Sequence, residues 1–151
     1  MVFDGEDLLP HRDVVIRDGR MVNISDFRLS VDGATVIQGA GRTLLPGLID
    51  SHVHVSDGPG GSLRQALSLG VTTVLDMFSG GDRLETLKQI QSEDPPGVAD
   101  LRTAGFGATA PGGHPTQMAG PSKIPTISGP EAAQTFLDDR IAEGSAYIKI
   151  I

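Results

Sequence analysis

Pro46-Gly47 separates two different patterns of hydrophobicity, and the stretch that follows it limits the fold more than any other. Leu48-Ile49-Asp50-Ser51-His52-Val53-His54 reads as a short buried strand that finishes in two histidines. Side chains alternate across a strand with period two, so Asp50, His52 and His54 share one face. Two imidazoles two residues apart can each give one ring nitrogen to the same metal ion, and neutral imidazole suits zinc and its first-row neighbours. The triplet alone is a weak signal, because most histidine pairs of this kind are surface residues or satisfied core residues.

From Leu48 onward, strand-like and helix-like segments alternate, which points to βαβ units and a parallel sheet. Leu63 to Leu69 reads as a short helix stopped by Gly70. Val71 to Met77 is a second strand, its β-branched residues suited to burial on both faces. Asp82, with Glu85 three residues on, is a candidate cap for a helix whose apolar side is Leu84, Leu87 and Ile90. Pro95-Pro96-Gly97 ends that helix, and Val98 to Ala104 is a third strand. A loop rich in Gly, Pro and Thr then runs from Gly105 to about Ile127, and loops of this length inside a compact domain are usually functional or mobile. Pro130, preceded by Ser128, starts another helix with Ala133, Phe136, Leu137 and Ile141 on its expected buried face, ended by Gly144. Tyr147-Ile148-Lys149-Ile150-Ile151 reads as a fourth strand.

Residues 1–45 carry a different pattern. Val14-Val15-Ile16 and Met21-Val22-Asn23-Ile24 flank Asp18-Gly19, a hairpin signal because both central residues of a type I′ turn need positive φ. A further short strand is expected at Thr35-Val36-Ile37. His11 lies in a polar stretch and reads as an exposed residue without a metal role.

Composition narrows the function classes. Twelve basic against nineteen acidic residues give a net charge of −7, which argues against a nucleic-acid or anionic-membrane partner. With no cysteine there is neither a disulfide framework nor a thiolate site, so any metal must be held by nitrogen and oxygen. No apolar run approaches the roughly 20 residues that span a bilayer, and no signal-peptide pattern opens the chain. The expected setting is the cytoplasm, and the expected partner a small-molecule substrate.

Leu44-Leu45-Pro46-Gly47-Leu48-Ile49-Asp50-Ser51-His52-Val53-His54 resembles, at eleven consecutive positions, the lead into the first barrel strand of the amidohydrolase superfamily. That family consists of metal-dependent hydrolases on a (β/α)8 barrel. The resemblance implies an α/β fold: the first half of a TIM barrel over 46–151, with strands one to four and their helices, preceded over 1–45 by part of a small β-sandwich. It implies hydrolysis of an amide or related C–N bond, in a cyclic amide or a small peptide, by a metal-activated hydroxide. His52 and His54 would be metal ligands for one or two divalent ions, zinc foremost.

Lys149 sits between isoleucines, where burial would disfavour its charge. Spacing alone favours a lysine reaching a carboxylate or solvent. The resemblance instead implies the strand-four lysine whose amine has added carbon dioxide, giving a carbamate that bridges two metals and takes part in catalysis. Ala110-Pro111-Gly112-Gly113-His114-Pro115 is similar to a loop of the branch related to imidazolonepropionases and prolidase-like peptidases. His114 is then a substrate contact, a group that supports the metal ligands without being one, or an exposed loop histidine. Asp50 reads as a structural carboxylate or one that orients a histidine, rather than as a ligand.

The family's remaining ligands lie on strands five, six and eight, which have no counterpart here, and a full barrel takes roughly 250 residues. The expectation is therefore either a missing C-terminal half or a homo-oligomer. The competing expectation is a non-catalytic half-barrel that assembles through its open strand edges.

Overall fold

The computed structural model describes residues 1–56, 61–119 and 124–151. The chain divides into two compact units, Met1–Pro46 and Gly47–Ile151.

In the first unit, β1 (Val2–Phe3) and β2 (Leu8–Leu9) pair antiparallel, as do β3 (Asp13–Arg17) and β4 (Arg20–Ser25). The β3–β4 hairpin turns at Asp18-Gly19 with φ of 50° and 71°, the positive pair that its type of turn requires. The chain returns beside β1, where Val2 bridges Leu44 in parallel. Val2 is the one buried hydrophobic residue among those described in this unit. The strand expected at Thr35-Val36-Ile37 does not form. Val36 and Ile37 are largely exposed, and β-branched residues without a paired neighbour or a packed face gain little from extension.

The second unit is α/β. Its sheet has the order β5-β6-β7, all parallel, from β5 (Leu48–Val53), β6 (Val71–Asp76) and β7 (Asp100–Thr103). Helix α1 (Gly61–Ser68) connects β5 to β6, and α2 (Asp82–Glu93) connects β6 to β7. Val55, Leu63, Val74, Leu87, Ile90, Ala99 and Leu101 form the core between sheet and helices, with Val53 packed against it. The β5–β6 pairing shifts register between Asp50 and Val53, just before the strand ends. Gly47 is required where the chain enters β5, because a Cβ there would lie 2.1 Å from Thr72 Oγ1.

Several details depart from the sequence reading. β5 is exposed rather than buried along Leu48 to His52, since among the described residues only β6 pairs with it. Asp82 is the first helical residue of α2; Gly81 takes the cap position, with no side-chain cap. Pro130–Ala132 forms a 3₁₀ turn before α4 (Ala133–Ala142), with Gly129 at its cap position. The buried face of α4 is Phe136 and Arg140, while Ala133 and Ile141 are exposed.

The loop from Gly105 to Ile127 contains a short helix, α3 (Thr116–Ala119), and its residues 120–123 lie outside the described residues. The fourth strand is reduced to a bridge. Ala146 N–H donates to Thr103 O at 2.8 Å, Ala108 N–H to Lys149 O at 2.7 Å, and Ile151 N–H to Ala108 O at 3.0 Å. Between those anchor points Gly105 has a φ of 66°, which turns the partner chain out of the extended conformation that a continuous ladder needs. No helix among the described residues is long and apolar enough to cross a membrane.

Candidate functional site

His52 is the penultimate residue of β5 and His54 follows its last residue, so both stand at the carboxyl end of a parallel strand. Their ring centroids are 5.7 Å apart with planes at 66°, and both side chains are exposed. Two imidazoles on one zinc, each at about 2.0–2.1 Å and near the tetrahedral angle, have centroids roughly 5 Å apart. The observed separation is close to that value. Among the described residues no group of three His, Cys, Asp or Glu side chains converges to complete a metal site. Asp50 Oδ1 accepts the His52 backbone N–H at 3.1 Å, so this carboxylate fixes the strand end rather than a histidine ring.

Beside the pair, a cavity of about 230 Å³ opens between β5, β6 and α1. Asp50 and His54 line it together with the apolar side chains of Val53, Leu63, Val71 and Val74.

Lys149 is half-buried, and its carbonyl is held by Ala108. Its amine makes no hydrogen bond or ion pair among the described residues. The backbone register places it beyond the carboxyl end of β7, because Ala146, three residues earlier, is the partner of Thr103. Ile148 and Ile150 are exposed rather than packed under helices. His114 is also exposed; its Nδ1 lies 3.2 Å from Gln117 Nε2, and its carbonyl accepts Thr109 Oγ1 at 2.7 Å. Neither His114 nor Lys149 touches the histidine pair through a hydrogen bond or ring contact among the described residues. His11 is exposed and lies in the first unit.

The sequence reading passed over Asp76, the last residue of β6, which is fully buried. Its Oδ1 accepts Val55 N–H at 3.0 Å, its Oδ2 accepts Thr103 Oγ1 at 2.8 Å, and its carbonyl accepts Tyr147 Oη at 2.7 Å. A carboxylate closing a strand of β-branched and apolar residues was the available signal, since a buried charge needs such partners. Burial, and secondarily the charge of Asp76, push the Tyr147 phenol up to about 12.

No family model matches the chain. It is 38% identical over 73 residues to an adenine deaminase of Paracoccus denitrificans, a match covering 45% of this chain and 12% of that enzyme. An enamidase of Eubacterium barkeri is 39% identical over 75 residues, covering 44% of this chain and 19% of the relative. The solved structure of a prolidase in complex with N-methylphosphonate-L-proline aligns with a TM-score of 0.71 at 24% identity, over 94% of this chain and 42% of the prolidase. The matches thus span less than a fifth of these two curated relatives and under half of the solved chain.

Proposed function

The chain belongs to the amidohydrolase superfamily, and from that premise we propose that it supplies the first ligands of a metal-dependent hydrolase acting on an amide or related C–N bond. The observation that carries this reading is the contact of the His52 and His54 rings at the carboxyl end of β5. Active sites of (β/α)8 barrels are built at that end of the strands. In this reading residues 46–151 are the first four strand-helix units of such a barrel, and residues 1–45 are part of a small β-sandwich.

His52 and His54 each offer one ring nitrogen to a divalent ion, zinc being the first candidate. Such an ion, when bound, polarises a carbonyl and makes water acidic enough to ionise near neutral pH. Lys149, whose amine makes no hydrogen bond or ion pair among the described residues, is the group that would add carbon dioxide in this reading. Its nitrogen bonds to carbon, one proton leaves to solvent, and the neutral amine becomes an anionic oxygen ligand. Asp50 holds the end of β5 by accepting the His52 N–H. His114 contributes as a substrate contact from the loop after β7, with its ring oriented by Gln117.

The enamidase and adenine deaminase likenesses favour a non-peptide C–N bond, with a cyclic amide as the first substrate class to test. The prolidase likeness supports the fold and leaves small peptides as the second class. The test is turnover of a panel of cyclic amides and dipeptides by the metal-supplemented protein, by the chelator-treated protein, and by the His52→Ala and His54→Ala variants. The expected result is a loss of about 100-fold or more on chelation and in either variant. Turnover that survives all three treatments would overturn the reading.

A further inference from the structure

Asp76 makes no hydrogen bond or ion pair with either histidine ring or the Lys149 amine among the described residues, yet it holds the backbone beside both. Its carboxylate takes the N–H of Val55, the residue after His54, and its own carbonyl takes the hydroxyl of Tyr147, two residues before Lys149. Thr103 Oγ1 braces the second carboxylate oxygen at 2.8 Å and accepts the Gly105 N–H at 3.2 Å. One residue at the end of β6 therefore joins the end of β5, the end of β7 and the segment carrying Lys149. The carboxylate is 0% exposed, and the two side-chain acceptor atoms have one donor each.

We propose that Asp76 is a positioning residue that sets the separation between the histidine pair and Lys149. Its carboxylate fixes the chain just past His54, and its carbonyl fixes Tyr147 and so the approach of the lysine segment. The consequence for metal binding rests on the reading given above; the consequence for the backbone does not. Residues that orient metal ligands without touching the ion typically change affinity by about 10–100-fold when removed.

The experiment compares the protein with its Asp76→Ala, Asp76→Asn, Thr103→Val and Tyr147→Phe variants. Amide hydrogen exchange at Val55 and Ala108 and the imidazole nitrogen resonances of His54 are followed without metal, and Co²⁺ affinity is measured separately. Ala108 is informative because its N–H is bonded to Lys149 O.

Asp76→Ala should speed Val55 exchange at least tenfold, move the His54 resonances, and weaken Co²⁺ binding by about 10–100-fold. Asp76→Asn retains an oxygen acceptor for Val55 N–H and should recover most of the loss. Tyr147→Phe should speed exchange at Ala108 while leaving Val55 protected. Should Asp76→Ala fail to fold, Thr103→Val, which frees one carboxylate oxygen, should still shift His54 and raise Val55 exchange severalfold. Folded variants with unchanged Val55 exchange, His54 resonances and Co²⁺ affinity would overturn the proposal. If the unaltered protein binds no Co²⁺ but the backbone responses appear as described, the metal reading falls and the positioning role stands.

Discussion

Tyr147 is the only tyrosine in a chain without tryptophan, so phenolate absorbance reports on a single site. Its hydroxyl donates to Asp76 O in surroundings that disfavour the phenolate, first through burial and then through the Asp76 charge. A folded-state value of about 12 against 10.0 means that the native chain holds this proton more tightly than the unfolded one. The resulting stabilisation is fully present below pH 10 and is lost as the pH rises from 10 toward 12. A spectrophotometric titration of the folded protein should place the midpoint near 12, and Asp76→Asn should lower it by removing the charge contribution. A midpoint at 10 would show the hydroxyl in open water. The same residue shows where sequence reading stopped. Tyr147 and Asp76 are 71 positions apart, and each alone looked like an ordinary strand residue; only the fold makes one the other's partner.

Helix α2 and helix α4 differ in how much of their packing was readable. Leu84, Leu87 and Ile90 repeat at three-residue spacing, and all three are buried in α2. Leu87→Ala should therefore cost about 2–5 kcal/mol through lost burial and the cavity left behind, measured by denaturant unfolding. A loss below about 0.5 kcal/mol would mean that this helix face is not part of the core. In α4 the same rule pointed to Ile141, which is 64% exposed, and passed over Arg140, which is 3% exposed. The guanidinium lies 4.7 Å from the Phe136 ring centroid and 5.9 Å from that of Phe106, and Arg140 Nε donates to Glu143 at 2.9 Å. A count of apolar spacing cannot foresee a buried cation, because aromatic faces and a carboxylate three residues away make the site. The strand expected at Tyr147 to Ile151 failed for a related reason. Its residues favour extension, but the ladder depends on a partner segment that turns at Gly105.

At the scale of the molecule, the change of pattern at Pro46-Gly47 coincides with the division into two compact units. The parallel β5-β6-β7 order also follows from strands alternating with helices, because a parallel neighbour needs a crossover long enough to hold a helix. The metal-binding proposal depends on one feature at the end of that sheet, the ring contact of His52 and His54 beside the carboxyl end of β5. The chain has four histidines, His11, His52, His54 and His114, so their imidazole nitrogen resonances can be followed individually while Zn²⁺ is added. The His52 and His54 signals should shift together at the lowest zinc concentrations while those of His11 and His114 stay in place. Shifts confined to His11 or His114, or a response from only one member of the pair, would rule out a shared metal site at His52 and His54.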